Sequence, residues 1–191
     1  MTSDGIPFPI IIAFGHKRMR GKNTAADAAA LSLLHRNMPF RFDSFAFSLK
    51  ELCRTVFGFN DEQLNGELKG IPDRFWGFTP RWALQKVGTE AMRGVLDDIW
   101  VKTLVRRAKM YPNNSILITD MRFPNEAAAV KELGGTLVRC DRDLTFDSIM
   151  DTHASETALD HFTDWDFVLN NNGTMDQLKD QVESMIKVIL K

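Results

Sequence analysis

Cysteine is almost absent from this chain. Cys53 and Cys140 are the only two, and they are far apart. They form none of the closely spaced pairs of zinc or redox motifs, so they read as reduced, buried thiols of a cytoplasmic protein. Also missing is an excess of charge of either sign, because 24 Lys and Arg face 25 Asp and Glu, for a net charge of −1. Without a broad positive field, a long nucleic acid is not the expected partner, although a local basic cleft can still take a small phosphate. There is no long hydrophobic run either. The apolar stretch from Phe8 to Phe14 is broken by Pro9, lacks a basic lead and is too short to cross a bilayer, which argues against a membrane partner. No repeat, low-complexity tract or linker is visible, so the 191 residues are expected to form one domain; a homodimer is left open.

What is present begins with a strand signal. Ile10, Ile11, Ile12 and Ala13 are uninterrupted apolar residues between Pro9 and Gly15, suited to a strand covered on both faces. A basic loop from His16 to Arg20 follows, then Gly21, Lys22, Asn23 and Thr24, and then an alanine-rich helix offering Ala28, Leu31 and Leu34 as its apolar stripe. Strand, glycine-bounded loop and helix come in the order of a phosphate-binding βα unit. Gly15 makes the tight exit, Gly21 allows close backbone approach, and Lys22 reaches the terminal phosphates of a nucleoside triphosphate. The match to a P-loop is imperfect. Five residues, His16 to Arg20, replace the usual four, and Asn23 stands where a serine or threonine normally helps hold Mg2+. Thr24 takes that role directly or through water, or phosphates and solvent hold most of the ion. A surface turn with a chance Gly-Lys pair is the competing reading of the loop alone.

Further along, Phe40 to Phe47 alternates as an extended segment, and Ser48 is expected to cap a helix carrying Leu49, Leu52 and Val56. The glycine- and aromatic-rich residues 57–79 read as a partly helical excursion. Pro80 to Met110 reads as one long helix with an apolar stripe of Leu84, Val87, Ala91 and Val95. Arg81, Gln85, Thr89 and Arg93 form a second, polar stripe on it. Ser115 to Asp120 is a strand, Pro124 to Leu133 a helix closed by Gly134 and Gly135, and Thr136 to Val138 a strand leaving into a charged run from Arg139 to Asp143. Phe167 to Asn170 is a last strand, and Met175, Leu178, Val182, Ile186 and Ile189 mark an amphipathic helix. This alternation implies an α/β sandwich of three layers around a mainly parallel sheet. Asp120, ending its strand, suits a Mg2+ shell or a proton acceptor near a transferred phosphoryl group, and Arg122 suits a bidentate phosphate contact.

Four segments together carry a resemblance. They are Gly15 through Asp27; Arg81 through Glu90 with Arg93, Trp100 and Val101; Thr119 through Glu126; and His153 through Glu156. In this order they resemble the deoxynucleoside monophosphate kinases encoded by tailed bacteriophages, over most of residues 10 to about 170. The resemblance implies a P-loop fold of the nucleoside monophosphate kinase type, with ATP and Mg2+ as cofactors. The implied reaction moves the γ-phosphoryl of ATP to a deoxynucleoside monophosphate (dNMP) for DNA synthesis in a host cytoplasm. Lys22 then carries the P-loop lysine role and Lys17 matches a second loop lysine, with His16, Arg18, Arg20, Gly21, Asn23 and Thr24 lining the donor site. The family commonly has aspartate where Asn23 stands, a departure that touches metal geometry more than reaction class.

The same resemblance places the acceptor near Arg81, Arg93 and Arg122, with Lys50 approaching its phosphate and Gln85 and Thr89 beside the base. Phe47, Phe75, Trp76 or Trp82 stacks on that base. Residues 47–80 form the acceptor-binding excursion and 139–157 a lid carrying Arg139 and Arg142, while Lys22, Asp120, Arg122 and Arg142 carry the chemistry. Glu90 and Glu156 orient arginines, and His153 is structural. A P-loop kinase for another small acceptor, or a nucleic-acid-binding module, are the alternatives.

Overall fold

A computed structural model of the chain describes residues 9–143 and 153–191. Two compact units emerge, one comprising the chain through Ser44 and again from Val105, the other Phe45–Leu104.

The first unit is built on a five-stranded sheet in the order β2-β3-β1-β4-β5, with every pairing parallel. β1 (Ile11–Gly15) is buried along its whole length because it pairs with β3 (Ser115–Met121) on one side and β4 (Thr136–Asp141) on the other. Its run of apolar residues follows from that position, since both faces are covered by helices. β2 (Phe40–Asp43) and β5 (Phe167–Asn170) are the edges. β4 continues through the charged residues to Asp141, so Arg139 lies within the strand instead of leaving it.

On one face, α1 (Lys22–His35) and α9 (Met175–Ile189) pack over Ile12, Phe14, Leu117, Val138, Cys140 and Leu169. The buried side of α1 is Ala25, Ala26, Ala29, Ala30 and Leu33, while Leu31 and Leu34 are exposed, at 46% and 60%. The expected leucine stripe is therefore wrong in phase: it is the alanines that let the helix approach the sheet and α9 closely. α9 enters through a capping box between Thr174 and Gln177 and buries Leu178, Val182, Met185 and Ile186. The opposite face of the sheet is covered by α7 (Pro124–Glu132), which buries Ala127 and Val130. Gly135 permits this, for a Cβ there would stand 2.6 Å from Val130 Cγ1.

β2 ends earlier than the alternation predicts. Asp43 Oδ1 accepts from the Ser44 amide at 2.8 Å, a local turn that takes the chain out of the extended state. The same buried carboxylate accepts from Arg41 and Arg107.

The second unit is helical. α2 (Phe47–Phe57) starts after Ala46, so Ser48 lies inside the helix and does not cap it. Leu49 and Cys53 face inward and Val56 is exposed. α3 (Asp61–Leu64) has a reciprocal cap between Asn60 and Gln63, and a 3₁₀ turn covers Glu67–Gly70. α4 (Pro80–Gln85) is capped by Thr79 with Pro80 in its first turn.

The single long helix expected from Pro80 to Met110 does not exist. After α4 the backbone widens into a π-helical segment, Lys86–Met92, followed by the short α5 (Arg93–Val95). It then becomes extended at Leu96 (φ −152°, ψ 107°) before α6 (Ile99–Met110). A change from i→i+4 to i→i+5 bonding shifts each later side chain around the axis. As a result the predicted stripe fails, and Val95 is 83% exposed. The buried residue of the π segment is Gly88, which lies against Leu49 and whose carbonyl accepts from Trp100 Nε1 at 2.9 Å. Among the described residues no helix is long and apolar enough to cross a membrane.

Candidate active site

The site grows from the end of β1. A Cβ on Gly15 would stand 2.6 Å from Met121 Cε and 2.7 Å from the Trp165 ring, so only glycine fits there. Beyond it the backbone turns through left-handed conformations at His16 (φ 85°), Met19 (φ 60°) and Gly21 (φ 94°). For non-glycine residues such values cost about 1–2 kcal/mol each and persist only when contacts over-determine them.

The contacts are present, and they come from distant parts of the first unit. His16 Nδ1 lies 3.1 Å from Asp141 Oδ1, and Lys17 Nζ lies 3.1 Å from Asp160 Oδ1. Burial, then Arg139, lowers the His16 pKa below its ordinary value against the pull of Asp141. The Arg18 amide donates to Glu156 Oε2 at 3.1 Å. Asn171 Nδ2 donates to the Arg20 carbonyl at 3.2 Å. Gly21 caps α1 without a side-chain bond, leaving the first amides of that helix for another acceptor.

Lys22 is only 7% exposed. Its ammonium donates to the carbonyls of His16, at 3.1 Å, and of Lys17. Burial above all, and next the Arg122 guanidinium, pull its pKa down to about 7, with Glu156 and Asp120 pulling the other way. Arg122 joins the same carbonyl of His16 at 3.1 Å and Glu156 Oε2 at 2.9 Å. Its own amide is held by Glu126 Oε2 at 2.7 Å, and the Phe123 amide by the same oxygen at 3.1 Å. Two cations thus converge on one loop carbonyl at the mouth of the central strand, a field suited to a polyanion.

Asp120 is half-buried on β3, next to the Met121 that pairs with Gly15, and Thr24 is half-buried in the first turn of α1. Asn23 is exposed. No group of three or more His, Cys, Asp or Glu able to hold a metal ion occurs among the described residues. Arg139 Nε donates to Asp141 Oδ1 at 2.8 Å, and Arg142 is exposed just past β4. Much of the expected lid at 139–157 lies outside the described residues. After them comes α8 (Ala154–Thr157), capped by His153, whose Nδ1 accepts from the Ser155 amide. Cys140 and Cys53 are buried free thiols, with burial pushing their pKa values up to about 12 and about 11.

The second unit carries the other expected residues: Lys50 on α2, Arg81, Trp82 and Gln85 on α4, Thr89 in the π segment and Arg93 on α5. Lys50, Arg81, Gln85, Thr89 and Arg93 are half-buried. Arg93 Nη1 donates to the Asp97 carbonyl at 2.9 Å. Glu90 pairs with Lys86 and not with an arginine. Trp82 is partly exposed in a chain of rings in which Phe57 meets Trp76 and Phe78, and Phe78 meets Trp82 at 4.9 Å.

Sequence reasoning missed Asp141, Asp160, Trp165 and Asn171 as supports of the loop. For Asn171 a signal existed, three asparagines and a glycine at the C-terminal end of a parallel strand, where ligand sites of such sheets gather. Trp165 gave none.

A parallel sheet whose central strand opens through a left-handed, glycine-bounded loop with a buried lysine into a helix is the construction of a P-loop kinase, an ATP-dependent phosphotransferase. Similarity to known proteins narrows the class. A model of the deoxynucleotide monophosphate kinase family matches residues 30–182. A protein of Acanthamoeba polyphaga mimivirus named "Putative deoxynucleotide monophosphate kinase" is 37% identical over 186 residues, covering 88% of this chain and 93% of the relative. Ictalurid herpesvirus 1 (strain Auburn) encodes "Uncharacterized protein ORF77", 36% identical over 109 residues, or 54% of this chain and 46% of the relative. Two solved structures are similar at 12% identity. A mutant APS kinase of Mycobacterium tuberculosis has a TM-score of 0.47, with 93% of this chain and 96% of that one covered. A dephospho-CoA kinase of Campylobacter jejuni has 0.49, with 94% and 97% covered. The chain belongs to the deoxynucleotide monophosphate kinase family.

Proposed function

We propose that the protein transfers the γ-phosphoryl group of ATP to the 5′-phosphate of a dNMP, giving the deoxynucleoside diphosphate (dNDP) and ADP. In this reading it supplies precursors for viral DNA synthesis in a host cytoplasm, and its partners are small nucleotides. The observation that carries the reading is the convergence of Lys22 and Arg122 on the His16 carbonyl at the end of β1.

Phosphoryl transfer needs alignment and charge neutralisation more than covalent help from side chains. Gly15, His16, Lys17, Arg18, Arg20, Gly21, Asn23 and Thr24 form the donor cradle in this reading, with Lys22 on the terminal phosphates. A phosphate oxygen of the acceptor attacks the γ-phosphorus as its bond to the bridging oxygen of ADP breaks, and ADP leaves with that electron pair. Lys22, Arg122 and the arginines 139 and 142 offset the charge that spreads over the transferred oxygens.

In this reading Lys50, Arg81 and Arg93 take the acceptor's phosphate, Gln85 and Thr89 its base and sugar, and Trp82 stacks on the base. Mg2+, when bound, neutralises phosphate charge. In this reading the Thr24 hydroxyl and Asp120 carboxylate are the hard oxygen donors it prefers, with phosphate and water as its remaining ligands.

Incubation with γ-labelled ATP, Mg2+ and each dNMP in turn tests this. Labelled dNDP is the expected product. Label moving instead to another class of small acceptor, with no dNDP from any base, refutes it.

A further inference from the structure

The connection between β5 and α9 does more than link two elements. Asn170 is clamped by the Gln181 side chain, which accepts from its amide and donates to its carbonyl, both at 2.9 Å. Asn172 exchanges two bonds with Asp143, accepting from its amide at 2.6 Å and donating to its carboxylate at 3.0 Å. Between them, the Asn171 amide donates to the Asp141 carbonyl at 2.7 Å. Three consecutive residues are therefore fixed, and the side chain of the middle one reaches the phosphate loop.

There Asn171 Nδ2 donates to the Arg20 carbonyl, and it occupies the space beside Gly21, where a Cβ would stand 2.1 Å from the same nitrogen. A carbonyl can only accept, which settles which end of the amide faces it. The Arg20 carbonyl and the Gly21 N–H belong to one planar trans peptide and point in opposite directions. Holding the oxygen toward Asn171 turns the Gly21 N–H away from the β5–α9 connection. The same residue meets a glycine at φ 94° that caps α1 without any side-chain bond of its own.

We propose that Asn171 is a positioning residue of the phosphate loop, fixing the Arg20–Gly21 peptide so that Gly21 N–H and the first amides of α1 stay aimed at the donor's phosphates. The proposal rests on the kinase reading above for what is bound, but its structural half can be read without catalysis. Asn171→Asp keeps the shape and sets a carboxylate oxygen against the Arg20 carbonyl, and Asn171→Ala removes the contact.

Three measurements on the full chain test it: hydrogen exchange of the segment 15–24 without ligand, calorimetric affinity for inorganic tripolyphosphate, and KM for ATP against KM for dNMP. In both variants exchange and KM for ATP are expected to rise and tripolyphosphate affinity to fall, each by about tenfold, the size expected for one lost hydrogen bond to a constrained group. KM for dNMP is expected to stay within twofold. Unchanged exchange and tripolyphosphate affinity in both folded variants overturns the proposal, as does an equal rise in KM for dNMP. If the unaltered protein makes no dNDP, the kinase reading falls, while loop exchange and tripolyphosphate binding still decide the role of Asn171.

Discussion

The phosphate loop of the first unit and the helical stretch after Thr79 in the second both announce themselves in the sequence as basic and polar residues at regular spacing. They are held in opposite ways. Around the loop, the bracing groups Asp141, Glu156, Asp160 and Asn171 come from segments remote in sequence, as in the Arg18–Glu156 and Asn171–Arg20 bonds. In the second unit many polar bonds are local, such as Lys86 with Glu90, Gln63 with Asn60 and Trp82 with Thr79. A loop braced from afar can hold strained backbone angles and a buried lysine. The helical stretch instead changes its period, in the π segment Lys86–Met92.

That contrast can be broken most severely at Lys22. Lys22→Met is expected to lower kcat/KM for dNMP phosphorylation by about a thousandfold or more, as for loss of a preorganised charge at the transferring group. The melting temperature should not fall. The same variant checks the titration. Because burial holds the folded pKa near 7 against 10.5 in the unfolded chain, the unfolded state binds the extra proton between those values. Stability of the unaltered protein should therefore rise with pH from about 7 toward 10.5, relative to the variant. Denaturant unfolding across that range reads the difference, and parallel curves would contradict it.

A pair of glycines sharpens the comparison. Gly21 (φ 94°) would drive a methyl group into Asn171, whereas Gly58 (φ 72°), at the end of α2, has nothing within 4 Å of such a group. Chemical denaturation should show Gly21→Ala losing about 2–5 kcal/mol, strain plus overpacking, against about 1–2 kcal/mol for Gly58→Ala, strain alone. Equal losses would mean that the remote bracing adds nothing. Within the second unit, Trp100→Phe deletes the bond to the Gly88 carbonyl and should cost about 1–3 kcal/mol with KM for ATP unchanged.

The smallest effect belongs to Glu183, whose pKa falls to about 2 through its bonds to Arg36 and Ser32. The carboxylate is over a third exposed, so solvent screening limits the gain to under about 1 kcal/mol. It should be fully present above about pH 4.5 and vanish as the pH drops through 2, which the difference between Glu183→Gln and unaltered acid-unfolding curves would register.

The elements that could be read in advance are those whose burial shows directly in the local pattern of apolar residues. β1 is apolar throughout because it is covered twice, β5 and α7 sit within a residue of their expected bounds, and α9 shows its buried face at helical spacing. The misreadings have a shared cause in packing that spacing alone does not encode. Leucines suggested the wrong face of α1 because close contact there demands alanine, and nothing in residues 80–110 announces where the bonding period changes at Lys86. At the site, Gly15, Gly21, Lys22 and Arg122 were legible from their place at strand and helix ends. The acids and Asn171 that brace them were not, since their partners become neighbours only once the chain is folded, with β4 beside β1 and β5 beside β4.

Whether Lys22 and its loop carry transfer to a deoxynucleotide is decided by following label from γ-labelled ATP into dNDP with the unaltered chain and with Lys22→Met side by side. Labelled dNDP is expected from the first and a trace at most from the second. Equal dNDP from both, or release of inorganic phosphate with no dNDP from either, would contradict that role.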